Sequence, residues 1–157
     1  MASEFKAVRM DREEAEGDLA LARGMLRSQG LSFVLVKEGQ VLGSGCAEGV
    51  EELLELVDRW GEESRGSSLA DKVVGKAVAM IARWARLAAV YAPLMSEVAR
   101  EELQKGGILA TWEELVPLIF NQSGTAPCPL EKAVLPLASP ESAVASLRAL
   151  VARKHGG

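Results

Sequence analysis

The chain has 157 residues, 18 Lys plus Arg against 22 Asp plus Glu, and 48% hydrophobic residues, which suits one compact globular domain and argues against disorder. A net charge of −4 with no long basic stripe excludes nucleic acid as an expected partner. The apolar stretches 77–82 and 87–95 are interrupted by Arg83 and Pro93 and are too short for a bilayer, so no membrane partner is expected either.

The first 18 residues mix acids and bases without the apolar run of a secretory signal, and the expected location is the cytoplasm. In that compartment Cys46 and Cys128 read as thiols rather than a disulfide. Asp11 followed by Glu14 marks a helix start, and Ala15, Leu19, Ala22, Met25 and Leu26 recur at helical spacing up to Gly30. Leu31–Val36 reads as a buried strand, Glu38-Gly39 as a tight turn and Gln40–Gly45 as the antiparallel partner. A small-residue loop then leads to a second helix carrying Val50, Leu53, Leu54 and Val57 and ending near Trp60-Gly61.

Residues 61–68 are loop-like but too short to divide two domains. Ser68-Leu69-Ala70-Asp71 has the Ser-x-x-Asp signature of a capped helix, predicting a central helix through the apolar residues Val73 to Trp84. Leu87–Ala92 reads as an interior strand stopped by Pro93, and Ser96 as the cap of a helix that Gly106-Gly107 ends. Ile108–Ala110 is a further short strand, and Thr111-Trp112-Glu113-Glu114 a capping box for a helix reaching Phe120. After a loop at 121–127, Pro129–Val134 forms a brief helix and Ser139-Pro140-Glu141 opens a terminal one. This order predicts an α/β protein, a three-layer α/β/α domain with a mixed sheet of about four strands. The expected organisation is a single domain over 1–135 and a helical extension with a disordered tail over 136–157.

Lys72 and Lys76 are four residues apart, where like charges on one helix face repel. They read either as an anion site near a helix start or as two solvated lysines. Asp71 doubles as a capping residue. Cys128, between Pro127 and Pro129 and just before a helix with Lys132 beyond, is the strongest nucleophile candidate, because a helix start and a cation favour the thiolate. The alternative is a small packing residue in a stiffened turn, and Cys46 reads as packing at a strand end. The single histidine, His155, lies in the tail and has no expected role. There is no zinc-ligand spacing, Walker A loop or dinucleotide fingerprint, so neither a metal nor a cofactor is expected.

Three segments together, Ala70-Asp71-Lys72-Val73-Val74-Gly75-Lys76-Ala77, Val90-Tyr91-Ala92 leading to Ser96-Glu97, and Asn121–Thr125 leading to Cys128-Pro129-Leu130-Glu131, resemble the DUF1893 family of bacteria and archaea over about residues 10–135. The resemblance implies a cytidine-deaminase-like fold and supplies no reaction. Zinc deaminases carry H-x-E and P-C-x-x-C at two helix openings. The counterparts implied here, Ala70-Asp71-Lys72 and Pro93–Glu97, contain neither His nor Cys, so metal-dependent deamination is not expected. What the resemblance implies is a pocket where the helix starts at Asp71 and Ser96 adjoin, with the Cys128 turn beside them.

The leading expectation is therefore a small anionic or nucleotide-like ligand. Cys128 and Asp71 would do any catalysis, and Lys72, Lys76, Ser96, Glu97, Asn121 and Glu131 would bind. The alternatives are a cysteine-dependent enzyme using Cys128, or a non-catalytic interaction module that forms a homodimer.

Overall fold

A computed structural model describes the backbone of residues 2–156 and the side chains of residues 11–154. Helix α1 spans Ala2–Gln29 and leads into the hairpin β1 (Phe33–Lys37) and β2 (Gln40–Gly45). Its turn residues Glu38 and Gly39 both have positive φ, 51° and 76°, the twist that suits a two-residue hairpin. The Asp18 carboxylate accepts both of their backbone N–H groups at 2.9 Å and ties the turn to α1. Helix α1 starts well before the expected Asp11, because residues 2–10 contain neither Gly nor Pro to stop it.

Next come α2 (Glu51–Trp60), a 3-10 turn at Gly61–Ser64, β3 (Ser68–Asp71), β4 (Val73–Val74) and α3 (Lys76–Ala85). The chain continues through β5 (Ala89–Ser96), α4 (Glu97–Lys105), β6 (Leu109–Val116), α5 (Pro129–Val134) and α6 (Pro140–Gly156). The sheet is mixed and has six strands rather than about four. β1 lies antiparallel between β2 and β3; β3 and β4 both run parallel to β5; β6 runs parallel to β5 along its whole length.

The two additional strands, β3 and β4, occupy the expected helix start. The Ser68 hydroxyl does not cap a helix but donates to the Ala15 carbonyl at 2.9 Å, and the chain stays extended until Gly75. A second difference lies at 111–116, where the expected capping box is part of β6. Glu113 there reaches Arg27 and Arg23 of α1 instead of capping a helix. Pro93 does not stop β5: the ladder to β6 passes from Ala92↔Trp112 to Leu94↔Glu114 and skips the residue that has no N–H to donate.

Alternation along the strands fills both faces of the sheet. Val34, Val36, Ala70, Ala89 and Tyr91 face α1 and its Ala15, Leu19, Ala22 and Leu26. Phe33, Leu35, Leu69, Val90 and Ala92 belong to the larger core on the other face, with side chains from α2, α3, α4 and α6. Ala143, Val144 and Leu147 of α6 are fully part of that core, and Arg148 holds Asp58 of α2 through two hydrogen bonds of 2.6 and 2.7 Å. The expected tail lies within α6 up to Gly156, and the side chain of His155 is outside the described residues. No described helix is long and apolar enough to cross a membrane.

Candidate functional site

β3 ends at Asp71, and Lys72 bulges out before β4 resumes pairing with β5; the Lys72 N–H donates to the Ser32 carbonyl at 3.0 Å. On the neighbouring hairpin, β2 ends at Gly45 and residues 46–50 lead into α2. These two strand ends bring the starts of α2 and α3 to one side of the sheet. Between them lies a cavity of about 380 Å3, walled by 46–50, 71–73 and the start of α3, and closed by Ile119 and the Cys128–Glu131 turn. Its size falls within the range of small-molecule sites, and it lies beyond the carboxyl ends of parallel strands, where α/β proteins commonly bind ligands.

Glu131 is buried in the wall, and its two carboxylate oxygens accept the backbone N–H groups of Lys76 at 2.6 Å and Ala77 at 2.8 Å. An α5 side chain thus caps α3, supplying the negative charge that a helix N-terminus favours. Burial nevertheless raises the Glu131 pKa, against the pull of these two bonds and of the Lys76 charge. Gly75 is the residue that lets the carboxylate approach, since a Cβ there would overlap it. The Lys76 ammonium is itself buried and donates to the Leu135 carbonyl at 2.8 Å, so it anchors α5.

Asp71, like Glu131, forms no salt bridge among the described residues. Its carboxylate accepts the Val73 N–H at 3.3 Å, and burial pushes its pKa up to about 7 despite backbone bonds from Val73 and Lys72. Near neutrality this carboxyl is present both as acceptor and as donor, a property associated with functional carboxyls. Lys72 is exposed at the cavity edge.

Of the expected residues, the cavity brings together Asp71, Lys72, Cys128 and Glu131. Lys76 begins α3 directly behind it with its ammonium turned to Leu135. Ser96 is not in the wall: it is fully buried, and its Oγ accepts the Ala99 N–H at 3.0 Å as the cap of α4, with Glu97 exposed in the first turn. Asn121 is likewise elsewhere, its Oδ1 accepting from Ser123 and Thr125 within its own loop at 3.1 Å. The helix starts that frame the cavity are those of α2 and α3, not the pair at Asp71 and Ser96. Cys46, Glu48 and Ser32 also line it and are absent from the expected set. Cys46 and Cys128 are both free thiols. Among the described residues no group of three or more His, Cys, Asp or Glu side chains is placed to hold a metal ion.

The profile of the family described as "Domain of unknown function (DUF1893)" matches residues 21–151. The chain belongs to the DUF1893 family. The match runs past residue 135 and takes in most of α6, consistent with its place in the core. The structure is similar to that of a DUF1893 family protein from Thermotoga maritima, with a TM-score of 0.71 and 24% identity over 83% of this chain and 85% of that one. Weaker similarity extends to a Thermotoga maritima diaminohydroxyphosphoribosylaminopyrimidine deaminase/5-amino-6-(5-phosphoribosylamino)uracil reductase (TM-score 0.45, 14% identity, 80% of this chain and 42% of that one). It extends also to Acinetobacter baumannii RibD (TM-score 0.42, 16% identity, 67% and 35%). The DUF1893 chain thus spans less than half the length of either RibD-type protein. No curated protein matches the sequence.

Proposed function

We propose that the cavity between α2 and α3 binds a small nucleotide-like molecule, with Asp71 holding a polar ring edge and Lys72 receiving an anionic substituent. The observation that carries this reading is the place of Asp71: a carboxyl in the wall of a cavity of about 380 Å3, without a salt-bridge partner among the described residues, where burial pushes its pKa up to about 7. In its protonated form it offers an O–H and a carbonyl side by side, matching the paired donor and acceptor of an amide or amidine edge. An anionic group finds the start of α3 already occupied by Glu131, which leaves exposed Lys72 as the cation of the cavity edge. In thermal melts, uridine 5′-monophosphate is expected to raise Tm, uridine to raise it less and inorganic phosphate to leave it unchanged. Asp71→Asn and Lys72→Ala should each reduce the nucleotide shift. No shift of the wild-type protein with any of these would contradict the proposal.

A second reading is favoured by one observation: Cys128 shares this cavity with Asp71. In it the Cys128 thiol is a nucleophile and Asp71 takes its proton. Iodoacetamide at pH 7 should then alkylate Cys128 faster than free cysteine, and Asp71→Asn should remove the advantage. A rate equal to that of free cysteine rules this reading out.

A further inference from the structure

Among the described residues, two buried side-chain polar atoms have no hydrogen-bond partner: Nε of Arg100, on α4, and the hydroxyl of Ser32. Only Ser32 belongs to the wall of the cavity. Buried hydroxyls are nearly always paired, so an unpaired one needs a reason.

The position of Ser32 is fixed by its backbone. Its N–H donates to the Gly45 carbonyl at 2.7 Å, and its carbonyl accepts the Lys72 N–H at 3.0 Å. The next residue, Phe33, stands opposite Asp71 in the ladder of β1 and β3. Ser32 therefore bridges the end of β2 and the Lys72 bulge, one position along from the carboxyl proposed to hold the ligand. Its main chain is fully engaged and its side chain is not. A serine side chain has a single torsion with three staggered wells, so rotation about χ1 alone re-aims the hydroxyl while the backbone bonds stay in place.

We infer that Ser32 is a ligand-contacting residue, its hydroxyl pairing with an uncharged carbonyl or N–H group of the bound molecule beside the group held by Asp71. The inference rests on the cavity being a binding site, as proposed above. The surrounding walls already carry Glu48, Asp71 and Glu131 against Lys72, and a neutral hydroxyl adds hydrogen-bonding selectivity without adding charge. A site built to pair such a group discriminates against analogues that lack it, because the protein hydroxyl is then left buried and unmatched.

The test is isothermal titration of the full chain with uridine 5′-monophosphate, which carries both a lactam edge and a phosphate, alongside melts without ligand. Ser32→Ala is expected to weaken binding about tenfold while leaving the ligand-free Tm unchanged or higher, since among the described residues no protein group pairs with the hydroxyl. If wild type binds, Asp71→Asn weakens binding and Ser32→Ala binds like wild type, the inference is overturned and the cavity reading stands. A lower ligand-free Tm for Ser32→Ala also overturns it, by showing that the hydroxyl has a structural partner. If wild type itself does not bind, the cavity reading fails and the inference falls with it.

Discussion

At Asp71, burial disfavours the charged carboxylate, and the consequence is a stability that depends on pH in a definite direction. The unfolded chain releases this proton near the ordinary value of 3.8, the folded chain at about 7. Between these values the folded state holds a proton that the unfolded state has lost, so stability falls as pH rises through the window, and above it the full penalty remains. Asp71→Asn removes the ionisable group while its carbonyl can still accept the Val73 N–H. Its Tm should exceed that of wild type at pH 8, and the two should converge near pH 4; a variant less stable at pH 8 would contradict the argument. Cys46 and Ser32 show why parts of the site were not legible in the sequence. Cys46 lies between small residues that look like strand-end packing, and Ser32 is a plain polar residue at a strand start. Their relevance comes from chain segments that pair only in three dimensions.

At the level of elements, the capping of α3 by Glu131 couples two helices whose contacting residues are 55 positions apart, from Lys76 to Glu131. Removing the buried carboxylate leaves two N–H groups of α3 unpaired, and Glu131→Ala should cost about 1–3 kcal/mol in denaturant melts. Gly75→Ala should also destabilise, because the new Cβ overlaps that same carboxylate. In the double variant the clash is gone, so the combined loss should be smaller than the sum of the two; additive losses would show that Gly75 is needed for another reason. The hairpin, α2, the Ser96 cap and α5 were legible because their signals are local: two adjacent turn residues, a helical stripe, a hydroxyl three residues from the N–H it accepts, and a Pro at a helix start. β3 and β6 were not. Ser68-x-x-Asp71 and Thr111-x-x-Glu114 each match a capping box in spacing, but tertiary partners take those side chains or hold the backbone in the ladder.

Across the whole molecule, both faces of the sheet that carries the cavity are covered. α1 fastens one face through Leu19 and Leu26 and through Arg27, which donates to the Tyr91 hydroxyl at 3.3 Å and reaches Glu113. The helices on the other face include α6, whose Ala143, Val144 and Leu147 lie in the core. Leu147 is fully buried there, and Leu147→Ala is expected to cost about 2–5 kcal/mol. Truncation before Pro140 should abolish cooperative unfolding in calorimetry, whereas a chain ending at 139 that melts like wild type would make α6 an appendage. The amphipathic pattern of α6 was legible, but its docking site was not, because pattern alone does not say which helices a face will meet.

The most direct measurement is a carbon-13 carboxyl titration of Asp71 by NMR, with and without uridine 5′-monophosphate. The account predicts a midpoint near 7 in the free protein and a displaced midpoint when the nucleotide is bound. An ordinary midpoint near 4, unmoved by nucleotide, would contradict it.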